Sequence, residues 1–163
     1  MLGVQRLEKA NLYTRQASMV RALLILPTGL AMLKSRSVLI VDDDEALLEI
    51  LAERLRAEGF EVWTACDGAH GYSCYSQRPT ELVITDIQMP VLNGLEMMRY
   101  IRAINPFVKT VYVSGALREF RTVLEVERQE FDAVILDKPF SSEKLFTLIG
   151  CRPTDRTEWA RRL

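Results

Sequence analysis

Residues 38–51 read VLIVDDDEALLEIL, in which a short apolar run is followed by three aspartates and then by leucines at helical spacing. The apolar run is typical of a strand buried on both faces of a parallel sheet. Asp44 is suited to be the N-cap of the following helix, and Gly59 is placed to end it. The apolar stripe of this helix consists of Leu47, Leu48, Leu51 and Leu55. The stretch therefore predicts a strand followed by a helix that packs back on the sheet.

The same alternation of short apolar runs and helical patterns continues to about residue 149. It predicts an α/β fold, a doubly wound five-stranded parallel sheet with helices on both faces. The strands are predicted at Ser37–Val41, Glu61–Ala65, Leu82–Thr85, Thr110–Val113 and Ala133–Leu136. The later helices are predicted at Ala69–Gln77, Leu95–Ile104 and Leu117–Glu130, and from Ser141 with Leu145, Leu148 and Ile149 directed inward.

Polar residues follow directly after four of the predicted strands. Asp42–Asp44 follow the first strand, Asp86 the third and Ser114 the fourth, and Lys138 stands just after the fifth. Ligands of an open parallel sheet bind outside the carboxyl ends of its strands. We therefore expect these side chains to lie together at one edge of the sheet.

Carboxylates brought together from the first and third strands would repel one another unless a cation neutralised them. Magnesium is suited to this, because it prefers oxygen ligands and is commonly held by one or two carboxylates together with phosphate oxygens. Lys138 could pair with Asp86 or with a phosphoryl oxygen, while the Ser114 hydroxyl could donate to another oxygen. Such groups would stabilise phosphoryl transfer.

Each of these residues has an ordinary explanation when it is taken alone. Asp42 and Asp43 would be part of a solvated loop, and Ser114 would be a turn residue. Lys138 would belong to a common strand-to-helix turn. Four strand ends that supply an acid pair, an acid, a hydroxyl and a lysine in that order are poorly explained by coincidence.

Four segments carry a resemblance to response-regulator receiver domains: VLIVDDD at 38–44, LVITDIQMPVLNG at 82–94, VSG at 113–115 and DKPF at 137–140. The resemblance covers Ser37 to about Ile149, and the acid pair is highly specific in combination with Asp-x-x-Met-Pro-x-x-x-Gly. It implies a flavodoxin-like receiver fold. It also implies a switch in a two-component or phosphorelay system, with a sensor histidine kinase or a histidine phosphotransfer protein as the phosphodonor and an unknown protein as the downstream target.

The resemblance implies roles for the acidic residues. Asp86 would be the phosphoacceptor, and Asp42, Asp43, Asp86 and the backbone carbonyl of Gln88 would hold Mg²⁺. The chain would not be an enzyme beyond catalysing its own phosphorylation and slow dephosphorylation.

The resemblance also assigns the switching residues. Ser114 would be the switch hydroxyl, Lys138 would contact the phosphoryl group, and Pro139 would follow a cis peptide bond. Family members usually carry an aromatic residue three positions before the lysine, where this chain has Ile135. The usual coupling between hydroxyl and aromatic ring is therefore in doubt, while the phosphorylation chemistry is untouched.

Two other functions compete with this interpretation. A haloacid-dehalogenase-like phosphatase also uses an aspartate after a parallel strand, and Asp42-x-Asp44 imitates its motif. Members of that family would carry Thr or Val at the position of Ala46, and the segment from Asp86 to Gly94 would have no explanation. The second competitor is a receiver-like binding module that is never phosphorylated.

Composition limits the partners. The chain of 163 residues has a formal net charge of -1, but residues 1–36 carry +5, which leaves -6 on the remainder. An acidic body argues against nucleic-acid binding. The apolar stretch Met19–Leu33 is too short and broken by Pro27 to span a membrane, and the three cysteines lack metal-site spacing, which fits a cytoplasmic setting.

The expected organisation is one domain with two extensions. Residues 37–150 form the receiver domain, residues 1–36 an N-terminal extension that is poorly ordered or not translated, and residues 151–163 a short tail. We expect no DNA-binding output domain in this chain.

Overall fold

The computed structural model describes residues 36–150. Its five strands form one sheet in the order β2-β1-β3-β4-β5, and every neighbouring pair is parallel. The strands are β1 (Arg36–Val41), β2 (Phe60–Ala65), β3 (Leu82–Asp86), β4 (Lys109–Ser114) and β5 (Val134–Asp137). The predicted fold class is confirmed, and every predicted strand lies within one residue of its observed bounds.

One helix follows each strand. The helices are α1 (Glu45–Ala57), α2 (Gly68–Gln77), α3 (Gly94–Ile104), α4 (Arg121–Phe131) and α5 (Ser142–Leu148). As predicted, the Asp44 side chain caps α1 by accepting a hydrogen bond from the backbone N–H of Leu47. Gly59 follows α1 with a φ of 86°, a backbone conformation that glycine adopts at little cost.

Two apolar layers cover the two faces of the sheet. Successive side chains of a strand point to opposite faces, so Val38 and Ile40 of β1 enter one layer while Leu39 and Val41 enter the other. The first layer is completed by α1 and α5, and the second by α2, α3 and α4. Full burial of an aliphatic side chain contributes about 1.5–3 kcal/mol to stability. These layers hold the carboxyl ends of the strands in fixed register.

The fourth helix begins later than its pattern predicted. Helix α4 starts at Arg121 rather than Leu117. The preceding residues instead form turns, in which Glu119 N–H donates to Ala116 O and Phe120 N–H donates to Leu117 O. The apolar side chains of Leu117 and Phe120 pack against the second layer from these turns, so their spacing imitated a helix.

The prediction that Leu148 points inward is wrong, since this side chain is 42% exposed. Helix α5 buries Leu145 and Phe146 instead, with Ile149 packed against the same layer. Burying the larger Phe146 ring turns Leu148 to the outer side of the helix.

The predicted extensions lie outside the described residues, apart from Arg36, which begins β1. Within residues 36–150, no helix has the length and apolar character needed to cross a bilayer.

Candidate phosphoacceptor site

The strand order brings the predicted site residues to one edge of the sheet. Strand β3 lies between β1 and β4, and β5 pairs with β4. Parallel pairing aligns Asp86 with Val113 and Ser114 with Asp137. The loops after β1, β3, β4 and β5 therefore leave the sheet side by side.

Three carboxylates form a cluster at this edge. Asp42, Asp43 and Asp86 each offer a carboxylate oxygen, and these oxygens lie within 4.8 Å of one another. Asp42 and Asp86 are only 4% and 8% exposed, whereas Asp43 faces solvent. The arrangement presents oxygen ligands from two strands, open to solvent on the Asp43 side.

Backbone amides orient the two buried carboxylates. Asp44 N–H donates to Asp42 Oδ1 over 3.0 Å, and Gln88 N–H donates to Asp86 Oδ1 over 3.1 Å. One oxygen of each carboxylate is thereby fixed. The Gln88 side chain is exposed, so its place in the site depends on the backbone alone.

Lys138 joins the two buried carboxylates. Its Nζ donates to Asp42 Oδ2 over 2.8 Å and to Asp86 Oδ2 over 2.6 Å. The peptide bond between Lys138 and Pro139 is cis. Lys138 N–H also donates to Ser114 O over 3.0 Å, which ties the loop after β5 to the end of β4.

Burial and charge shift two pKa values in the site. Burial raises the pKa of Asp42 above its usual value, and the nearby Lys138 and the Asp44 amide only partly offset this. Burial lowers the pKa of Lys138, but its hydrogen bonds to Asp42 and Asp86 outweigh burial and raise it overall. Lys138 is therefore firmly cationic, and Asp42 is a carboxylate whose charge is costly.

The donor set fits magnesium. All three side chains supply hard carboxylate oxygens, and the single charge of Lys138 does not balance three carboxylates. A small divalent cation held by oxygen ligands would complete the neutralisation.

Ser114 ends β4 and is fully buried. Its Oγ accepts a hydrogen bond from Ala116 N–H over 3.1 Å, and this contact helps to shape the following loop. The structure thus brings Ser114 to the same edge of the sheet as the acidic cluster and Lys138.

The loop beside Asp86 depends on close backbone packing. A Cβ atom at Gly94 would collide with the backbone carbonyl of Asp86, so only glycine fits at the start of α3. A Cβ at Gly68 would collide in the same way with the carbonyl of Leu92. The Gly94 requirement agrees with the motif, whereas Gly68 was not singled out from the sequence. Its only signal was its place after Asp67, the N-cap of α2.

Ile135 is partly buried and packs against the second apolar layer. It is paired across the sheet with Tyr112 of β4, whose side chain is fully buried. An aromatic ring is thus present beside the Ile135 position, but it comes from the neighbouring strand. Sequence reasoning missed this residue, since a tyrosine in an apolar run is an ordinary core residue.

The fold and the site together define a class of protein. A doubly wound α/β domain with clustered carboxylates, a serine and a lysine at the carboxyl edge of its sheet has the groups required by a phosphoacceptor signalling domain. The chain belongs to the response regulator receiver domain family, whose model matches residues 38–150. Receiver domains are regulatory phosphoacceptors of two-component signal transduction rather than classical enzymes. They generally bind Mg²⁺ through an acidic pocket and interact with histidine kinases.

Comparisons with individual proteins agree with this membership. The chain is 31% identical over 115 residues to the DNA-binding response regulator MtrA of Mycolicibacterium smegmatis, covering 71% of this chain and 49% of MtrA. It is 35% identical over 106 residues to the transcriptional regulatory protein PrrA of Mycobacterium tuberculosis, covering 65% of this chain and 45% of PrrA. The chain spans about half the length of these curated relatives.

A solved structure shows the same architecture. The CheY-like response regulator receiver domain protein from Methanospirillum hungatei superimposes with a TM-score of 0.65 at 28% identity. The match covers 71% of this chain and 91% of that one.

Proposed function

We propose that Asp86 accepts a phosphoryl group from a phosphohistidine of a sensor histidine kinase or a histidine phosphotransfer protein. One observation carries the proposal: Lys138 Nζ bridges Asp86 and Asp42, which lie with Asp43 in one cluster of oxygen ligands. A buried carboxylate beside a lysine supplies the nucleophile and part of the charge compensation that phosphoryl transfer needs. The two further carboxylates would hold the divalent cation that supplies the rest.

The transfer is a substitution at phosphorus. A carboxylate oxygen of Asp86 forms the new P–O bond while the P–N bond to the donor imidazole breaks, and its electron pair returns to the ring nitrogen. Lys138, which contacts Asp86 over 2.6 Å, would balance charge on the phosphoryl oxygens, and the Ser114 hydroxyl would donate to one of them. Water later attacks the phosphorus, the P–O bond to Asp86 breaks, and inorganic phosphate leaves with the carboxylate restored.

Magnesium would be held by the carboxylates of Asp42, Asp43 and Asp86 and by the backbone carbonyl of Gln88. When bound, it supplies positive charge that stabilises the phosphoryl oxygens during transfer. The chain's own residues orient the nucleophile, because the Gln88 amide donates to one Asp86 oxygen and Lys138 Nζ to the other.

We propose that the output is a changed protein–protein contact in the cytoplasm. Phosphorylation adds about -1.5 to -2 charge beside Lys138 and Ser114, enough to reorganise the loops that bear them. The acidic body supports a protein target for this domain rather than nucleic acid. The named relatives are a DNA-binding response regulator and a transcriptional regulatory protein, and this chain spans about half of each.

Intact mass spectrometry after incubation with a small phosphodonor tests the proposal. The wild-type chain is expected to gain one phosphoryl group only when Mg²⁺ is present, and Asp86→Asn to gain none, since an amide is not the required nucleophile. Glu96→Gln, which changes an exposed carboxylate on α3, is the matched control and should behave as wild type. Equal labelling of Asp86→Asn and wild type would refute the assignment.

A further inference from the structure

A buried polar network joins α3, β4 and α4 inside the otherwise apolar second layer. Arg102 of α3 forms a 2.7 Å ion pair with Glu127 of α4. The Tyr112 hydroxyl of β4 donates to Glu127 over 2.7 Å and accepts from Arg102 over 3.1 Å. Arg102 also donates to Thr110 Oγ1 over 3.1 Å. Three elements therefore meet at one set of charged and hydroxyl groups.

Burial of the Arg102–Glu127 ion pair costs free energy of desolvation. The side chains of Arg102 and Glu127 are only 6% and 14% exposed, and Arg102 Nε has no hydrogen-bond partner among residues 36–150. Removing two charges from water costs free energy that their attraction often only balances, so such pairs are weak evidence for stability and can instead define one arrangement of the elements. Burial also raises the pKa of Tyr112, so its hydroxyl stays protonated as a donor to Glu127.

Helix α4 buries little of its own surface, and Phe131 at its end packs against the same arginine, with Arg102 Cζ 4.1 Å from the ring centroid. Leu124 is its only buried residue, and Phe120 at its N-cap makes no side-chain hydrogen bond to the helix. The other four helices each have a side-chain cap, at Asp44, Asp67, Asn93 and Ser141. The position of α4 thus depends strongly on the pairing of Glu127 with Tyr112 and Arg102.

The network also lies on the path from the phosphoacceptor site. Thr110, Tyr112 and Ser114 alternate along β4, so their side chains project from the same face of the strand. Ser114 stands at the site, and the loop after it leads directly into α4. The loop after Ser114 thus connects the site to α4, and the Tyr112–Glu127 hydrogen bond joins α4 to β4.

We propose that Arg102, Tyr112 and Glu127 form a latch that holds α4 in its unphosphorylated position and opposes phosphorylation at Asp86. The proposal rests on the function proposed above and names how that site is regulated. In receivers with an aromatic residue at the position of Ile135, the switching ring lies in β5. In this chain the latch uses the ring of Tyr112 in β4 instead. Coupling between two sites is reciprocal. If phosphorylation of Asp86 weakens the latch, a substitution that weakens the latch must favour the phosphorylated state by the same factor.

Tyr112→Phe tests the latch, because it deletes one hydroxyl and leaves the ring in the core. Tyr75→Phe is the matched control: Tyr75 is equally buried in the same layer, but its hydroxyl contacts Thr80 and Asn105, away from α4. Two quantities are measured for each chain. They are hydrogen exchange of the α4 amides without a ligand and the equilibrium affinity for fluoroberyllate, a phosphoryl mimic, in the presence of Mg²⁺.

The latch predicts that Tyr112→Phe exchanges its α4 amides about five-fold faster than wild type and binds fluoroberyllate about five-fold more tightly. Tyr75→Phe should show neither change. A purely structural role for Tyr112 would loosen the core without tightening fluoroberyllate binding. Unchanged α4 exchange, or affinity equal to or weaker than wild type, would overturn the latch.

Glu127→Gln keeps the shape and an acceptor for Tyr112 while it removes the charge, and it should shift both quantities in the same direction. It replaces Tyr112→Phe if that variant does not fold. Failure of the wild-type chain to bind fluoroberyllate would refute the proposed phosphoacceptor function, whereas the α4 exchange comparison would still decide whether the network holds the helix.

Discussion

At the scale of single residues, charge burial at the site opposes stability. Asp42 is almost fully buried, and its raised pKa means that its ionised form is less favourable in the folded chain than in the unfolded chain. Lys138 compensates this only in part, although it contacts Asp42 and Asp86 simultaneously. Burial of the ionised Asp42 side chain therefore costs folding free energy.

We expect Asp42→Asn to raise the melting temperature at pH 7. Folding raises the pKa of Asp42, so its charge penalty is present above the folded pKa and disappears below the unfolded pKa. The gain should be a few degrees, since roughly 4 °C corresponds to 1 kcal/mol in a domain of this size. It should shrink as the pH falls toward about 4. Thermal melts across this pH range, with the exposed Asp43→Asn as control, check the prediction. A gain that stays constant or grows as the pH falls would contradict it.

The backbone of Val91 is a second source of instability at the scale of single residues. Its φ is 67°, a left-handed conformation that is unfavourable for a β-branched side chain, and the side chain is 85% exposed. Val91→Gly should raise the free energy of unfolding by about 1 kcal/mol, because relief of strain exceeds the entropy that glycine loses on folding. Val123→Gly is the control, an exposed valine inside α4, and should lower it by about 0.5 kcal/mol. Chemical denaturation measures the free energy of unfolding of both variants. A lower value than wild type for Val91→Gly as well as for Val123→Gly would show that Val91 is unstrained.

At the scale of elements, the structure separates firmly anchored parts from adjustable ones. Helix α1 buries Leu48, Leu51, Ala52 and Leu55 and has a capped N-terminus, whereas α4 buries Leu124 alone. The element best able to change position is thus the one that follows the Ser114 loop. Ile135 of β5 packs in the second layer as a stiff, β-branched side chain that cannot sweep the volume of an aromatic ring.

We expect Ser114→Ala to shrink the phosphorylation-induced changes in backbone NMR signals of α4, β5 and α5, while Ile135→Val leaves them nearly intact. A ligand shifts a conformational equilibrium only through its different interactions with the two states, and we propose that the Ser114 hydroxyl supplies such a difference. The spectra are compared before and after addition of a phosphodonor with Mg²⁺. A larger loss in Ile135→Val than in Ser114→Ala would reverse the assignment.

At the scale of the whole molecule, the sequence predicted the strands of the sheet and the edge at which Asp42, Asp86 and Lys138 meet, and the reason is physical. The central strands β1 and β3 are largely buried and mostly apolar, and polar residues follow them, so the carboxyl end of each was marked. The start of α4 and the direction of Leu148 were missed, because Leu117 and Phe120 are apolar at helical spacing but lie in turns, and because Phe146 competes for the same space. The Arg102 network was also missed. An arginine late in an amphipathic helix is usually solvated, and only the tertiary packing brings Glu127 and Tyr112 to it.

The central claim is that the phosphoryl group is bound to Asp86. Wild-type protein labelled by a small phosphodonor with Mg²⁺ is digested, and tandem mass spectrometry locates the added phosphoryl group. Only Asp86, with its nucleophilic oxygen beside Lys138 Nζ, is expected to carry it. A phosphoryl group on Asp42 would contradict the account and favour chemistry like that of the haloacid dehalogenases.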